Sequence, residues 1–153
     1  MEVHKDLDRI EKIVDLDAPL SRVWEALTDH EKFGEWFRVR LDNPFVVGEI
    51  TTGNITYPGY EHMVWESLTE ALEPERLFAF SWPPKTVDPD STYSDDAKVM
   101  VEFRLEPTDS GTRLTIVESG FQQFPEKKRL EVLRSNTEGW EIQSTNIAAY
   151  VAR

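Results

Sequence analysis

Few side chains in these 153 residues could do chemistry, and their spacing narrows the kinds. The histidines are His4, His30 and His62, too scattered for the His-Glu-x-x-His helix spacing that holds a catalytic zinc. Cysteine is absent, which removes thiolate metal sites, disulfides and a cysteine nucleophile. The sequence has no Gly-x-Ser-x-Gly elbow, Walker loop or dinucleotide fingerprint. No metal, no cofactor and no catalytic residue is therefore expected. What remains is a set of polar groups on strands whose neighbours are apolar. His62, Glu66 and Glu70 share the parity of Val64, Leu68 and Leu72, and Glu118 that of Leu114 and Ile116. A carboxyl on an inward face loses water, its pKa rises, and it can then exchange a proton near neutral pH. Around residues 60–72 both parities carry apolar side chains, Met63 and Trp65 standing against Val64. A bulge after Val64 would return His62, Glu66 and Glu70 to water.

Positioning these groups requires a sheet, and the sequence patterning supplies one. Arg9 to Asp17 reads as a strand with Ile10, Val14 and Leu16 on one face. Asp17-Ala18-Pro19 is a helix start, and Leu20, Val23, Trp24 and Leu27 form the apolar stripe of a short helix. Thr28 with Glu31 three residues later predicts a capping box opening a second helix with Phe33, Trp36 and Phe37. From Phe45 the period falls to two. Strands are expected over Phe45–Thr51, within Ile55–Leu72, at Phe78-Phe80-Trp82, at Val99-Val101-Phe103-Leu105, and from Thr112 to Ser119. The stretch Pro83–Asp96 reads as a long acidic surface loop. After Pro125, the residues Leu130, Leu133, Thr137, Trp140, Ser144, Ile147 and Val151 recur at helical spacing. Gly139 predicts a kink or a brief break in that helix.

The expected architecture is α+β, in one domain over residues 1–153. A curved antiparallel sheet of about six or seven strands wraps a long C-terminal helix, with two short helices after the first strand. Such a sheet cannot close tightly on one rod, so a cavity is expected between them, suited to a small apolar or amphipathic ligand. Candidate cavity residues are Trp36, Phe37, Tyr60, His62, Trp65, Phe78, Phe80, Trp82, Phe103, Glu118 and Trp140.

The segment Ala18-Pro19-Leu20-Ser21-Arg22-Val23-Trp24-Glu25-Ala26-Leu27-Thr28-Asp29 resembles the opening of START-like, Bet v 1-type (SRPBCC) domains. Within that superfamily it is most similar to the branch related to the activator of Hsp90 ATPase. Further matching pieces follow in the family's order: Glu35-Trp36-Phe37, Glu73-Pro74-Glu75-Arg76-Leu77, Gly111-Thr112-Arg113-Leu114-Thr115 and Gly139-Trp140. The resemblance implies the helix-grip fold. It also implies a choice among the family's uses: binding of lipids, hormones or polyketides, cyclase or resistance activity, or contact with a chaperone. Fold alone does not decide among these. Non-enzymatic ligand binding is the leading expectation. The alternatives are a cyclase- or hydrolase-type enzyme using Glu118 or His62, and a co-chaperone-like module.

The charge balance constrains partners. With 17 Lys and Arg against 29 Asp and Glu, the net charge is −12. That disfavours nucleic acid, which needs clustered cations, and equally an anionic membrane surface. The N-terminal residues carry neither a basic segment nor an apolar run, so a cytoplasmic location is expected. A homodimer through an exposed edge strand stays open.

Overall fold

Strand and helix segments follow the two hydrophobic periods along the chain. The computed structural model describes residues 9–86, 93–94 and 97–152. In chain order these form β1 (Arg9–Leu16), α1 (Leu20–Thr28), α2 (His30–Phe37), β2 (Val39–Leu41), β3 (Ile50–Ile55), β4 (Val64–Glu73), β5 (Leu77–Trp82), β6 (Val99–Pro107), β7 (Thr112–Ser119) and α3 (Glu126–Val151). The seven strands make one antiparallel sheet in the order β1-β7-β6-β5-β4-β3-β2. Strands β2 to β7 are a meander, and β1 closes onto its far edge. His4 lies outside the described residues, as does much of the acidic loop.

One face of this sheet is apolar and meets α3. Phe78 and Phe80 of β5, Val101 and Phe103 of β6, and Leu114 and Ile116 of β7 are all buried. Cross-strand pairing sets Phe78 against Phe103 and Phe103 against Ile116. Helix α3 returns Val132, Leu133, Trp140, Ser144, Ile147 and Val151 to that face. The short helices are tied in by side-chain hydrogen bonds. Trp36 Nε1 donates to the Ala26 carbonyl at 2.8 Å, and Arg22 Nη1 donates to the Val151 carbonyl at 3.1 Å.

Several local expectations are corrected. The second helix is capped by Asp29, whose side chain accepts from the Glu31 and Lys32 amides, while Thr28 donates back to the Trp24 carbonyl. Side-chain geometry decides this: Asp29 is extended and its carboxylate reaches two free amides at once. Strand β3 begins at Ile50, later than the expected Phe45, and the short β2 was not foreseen in the sequence pattern. Helix α3 runs unbroken through Gly139. Packing of its apolar stripe offsets the propensity cost of one glycine. Leu130, expected on that stripe, is exposed, and Val132 is buried instead.

Two glycines on helices have opposite environments. A Cβ on Gly34 would sit 2.3 Å from the Val39 carbonyl oxygen, so only glycine lets β2 turn back against α2. A Cβ on Gly139 would meet nothing within 4 Å. Gly34→Ala is therefore expected to lower stability by about 1–3 kcal/mol through overpacking, despite better helix propensity. Gly139→Ala should raise it by up to ~1 kcal/mol. Urea denaturation of both variants checks the opposite signs.

Candidate functional site

Glu118 is the polar centre of the interior. On β7 it follows Leu114 and Ile116 onto the buried face, where it is fully inaccessible to solvent. Its backbone lies between Val101 of β6 and Ile10 of β1. Above it, one turn of α3 aims two donors downward, because residues four apart share a helix face. Trp140 Nε1 donates to Glu118 Oε1 at 2.8 Å, and Asn136 Nδ2 donates to Oε1 at 3.0 Å and Oε2 at 3.1 Å. Trp82 Nε1, from the end of β5, is buried and makes no hydrogen bond of its own. It lies near enough to the carboxylate to favour its charged form. Desolvation outweighs these three donors and pushes the Glu118 carboxyl from its usual 4.5 up to about 7.

Beside this carboxyl is a cavity of about 210 Å³. Its walls are Phe37 from α2, Ile55 at the end of β3, Trp65 from β4, Trp82, and the α3 residues Asn136, Gly139, Trp140 and Gln143. The exposed Met63, Val64 and Glu66 also border it, so it opens to solvent at the start of β4. Trp65 is the hinge of the aromatic wall, with ring centroids 5.2 Å from Phe37 and 5.5 Å from Trp82. Its Nε1 is satisfied by Ser67 Oγ at 2.9 Å. Gln143 Nε2 donates to the Phe37 carbonyl at 3.1 Å and fixes the corner between α2 and α3. Gly139 leaves open space where any larger residue would project.

Of the residues nominated from sequence, the cavity brings together Phe37, Trp65, Trp82, Glu118 and Trp140. Phe78, Phe80 and Phe103 are wholly buried and pack on one another, with Phe78 stacked on Phe103 at 5.8 Å. They fill the remainder of the sheet–helix gap and do not reach the cavity. Trp36 turns away to seal α2 against α1. Tyr60 and His62 lie exposed in the turn between β3 and β4, because Pro58-Gly59 starts that turn and β4 begins only at Val64. In β4 the odd residues Trp65, Ser67 and Thr69 point inward, and the register shifts between Thr69 and Ala71. The bulge thus exists but falls later than the sequence pattern indicated. Glu66 sits at the cavity rim, while Glu70 accepts from Ser81 Oγ at 2.7 Å and Lys98 Nζ at 2.9 Å, which hold its carboxyl below the usual range. Asn136 was missed. Its signal was the spacing to Trp140, four residues on, opposite a strand carboxylate.

The model of a known family, described as Activator of Hsp90 ATPase homolog 1-like protein, matches residues 17–152. The chain belongs to this family. Among solved members of the fold, protein MLL2253 from Mesorhizobium loti superposes with a TM-score of 0.73 at 22% identity, covering 95% of this chain and 97% of that one. A protein from Arthrobacter aurescens gives 0.74 at 17% identity over 96% and 87% of the two chains. The Aha1 dimer from Colwellia psychrerythraea gives 0.69 at 13% identity over 94% and 95%. At these identities the likeness concerns fold. No curated protein matches the sequence. Within this Activator of Hsp90 ATPase homolog 1-like chain, no described group of three metal-capable side chains converges, and no described helix is long and apolar enough to cross a membrane.

The raised Glu118 pKa has a pH signature. Facing the carboxyl are Trp82 from β5 and Asn136 and Trp140 from α3, none of them charged. Between pH 4.5 and 7 the folded state holds the proton that the unfolded chain has released, so stability falls as pH rises. The loss is complete above about pH 7 and amounts to roughly 3 kcal/mol. Glu118→Gln does not titrate. Its stability relative to the parent should therefore rise by about that amount between pH 4.5 and 8 in denaturant melts.

Proposed function

We propose that this protein binds one small hydrophobic or amphipathic molecule, without chemical turnover, in the cavity between the sheet and α3. The observation that carries this reading is an apolar chamber, walled by Phe37, Trp65, Trp82 and Trp140, with a single buried carboxyl at its inner end. Apolar walls supply affinity and one placed polar group fixes orientation, the usual plan of a small-molecule pocket. Its size points the same way. A cavity of ~150 Å³ accepts a benzene, so about 210 Å³ suits a compact ligand of one or two rings and not a two-chain lipid.

A test follows from Gly139. Its Cβ direction is open, so Gly139→Leu would fill the chamber without displacing backbone. Native mass spectrometry of gently purified parent protein, and thermal shifts against an apolar panel, should show binding that Gly139→Leu loses by ~10-fold or more while still folding. Absence of any ligand in the parent, or equal binding in the variant, would contradict the reading.

A second reading has one observation in its favour. A cavity carboxyl whose pKa is pushed to about 7 meets the requirement for a general acid or base at neutral pH. His62 supplies no partner for it, being exposed in the turn before β4. Turnover of a bound ligand that Glu118→Gln abolishes, with binding intact, would favour this enzyme over the binder.

A further inference from the structure

The polarity of the cavity restricts its occupant further, on the premise that the chamber is a ligand site. None of the described residues lining it is Lys, Arg or His, whereas Glu118 lies at its inner end and Glu66 at its mouth. An anionic guest, such as a fatty acid, would bring a second negative charge beside Glu118 with nothing to offset either. A neutral guest would leave an ionised Glu118 without a countercharge. The groups turned towards the carboxyl are donors, Trp140 Nε1, Asn136 Nδ2 and Trp82 Nε1, which supply hydrogen bonds but no charge. They are arranged around a charged carboxylate that lacks only its countercharge. The buried Trp82 Nε1, still without a hydrogen bond, is the donor that an ionised Glu118 would engage. The walls suit a cation as well, since aromatic rings attract positive charge and do so more strongly where water is excluded. A net charge of −12 raises the local concentration of cations at the mouth.

We propose that the cavity selects a compact lipophilic amine, whose ammonium group enters at the inner end, turns aside the side chains that close Glu118 from solvent and pairs with its carboxylate, while its hydrocarbon body lies against Phe37, Trp65, Trp82 and Trp140. Binding then completes the carboxylate's shell with its missing positive charge, and the burial cost of Glu118 becomes part of the selectivity. Neutral molecules of the same shape gain only the apolar contacts.

Three probes of one shape separate the cases: 4-phenylbutylamine, 4-phenylbutanol and 4-phenylbutyrate, titrated calorimetrically into the full chain at pH 8. The amine is expected to bind at least ~10-fold more tightly than the alcohol, with the carboxylate weakest. In Glu118→Gln the amine should lose that advantage while the alcohol keeps its affinity within ~3-fold. Glu66→Gln at the mouth should leave the preference in place. An alcohol that binds as tightly as the amine, or an amine preference that survives in Glu118→Gln, overturns the amine assignment and leaves the apolar binding site standing. A preference removed by Glu66→Gln also overturns it, by moving the selectivity to the surface. Failure of all three probes to bind the parent overturns both the assignment and the ligand reading. The parent series decides the matter alone if Glu118→Gln does not fold.

Discussion

The contact between Glu118 and α3 is the constraint around which this interior is organised. A carboxyl with no solvent exposure in a sheet face must be met by donors, since burying it unpaired costs far more than one hydrogen bond returns. The donors come from Asn136 and Trp140, so the middle of α3 is held at a fixed height and rotation over β7. That height leaves the cavity. At the other end of the gap Phe78, Phe80 and Phe103 are wholly buried and fill the space with stacked and tilted rings. At the Glu118 end, Gly139 provides no side chain and the aromatic walls stand apart. One polar anchor therefore sets where the helix grips the sheet and where it does not.

This arrangement gives up stability where the cavity lies. A Leu or Met at position 118 would avoid the desolvation of a carboxyl, and replacing buried polar groups with well-packed apolar ones is often stabilising. A glycine in mid-helix and a buried indole N–H without a partner act in the same direction. These three departures from good packing meet at one place among the described residues, which is the pattern expected where a surface is shaped for something other than its own fold.

The architecture was legible because its elements obey two strong periods. Strand alternation at Phe78-Phe80-Trp82 and Val99–Leu105, and the helical stripe through Leu133, Trp140, Ser144, Ile147 and Val151, each determine a buried face without knowledge of the partner element, while Leu130 and Thr137 of that stripe are exposed. The site was half legible. Glu118 could be carried inward on the parity it shares with Leu114 and Ile116, although Val117 on the other parity is apolar and buried as well. Tyr60 and His62 could not, because the residues that complete the turn opened by Pro58-Gly59, Tyr60 to Met63, include strand-compatible side chains and do not mark where β4 begins. The bulge at Thr69–Ala71 likewise arises from tertiary pairing with β5, to which no local residue type points. The short β2 depends on Gly34 admitting the Val39 carbonyl, a contact between segments. Which aromatics line the chamber and which fill the core depends on the height of α3, a tertiary quantity set by Asn136 and Trp140.

The most direct measurement of the account is the titration of the Glu118 carboxyl itself, followed by the chemical shift of its carboxyl carbon in protein labelled with carbon-13 glutamate. A dry carboxyl held by uncharged donors should titrate with a midpoint at about 7. A midpoint at the usual 4.5 would mean that the group is solvated, and both the anchor and the chamber built around it would be contradicted.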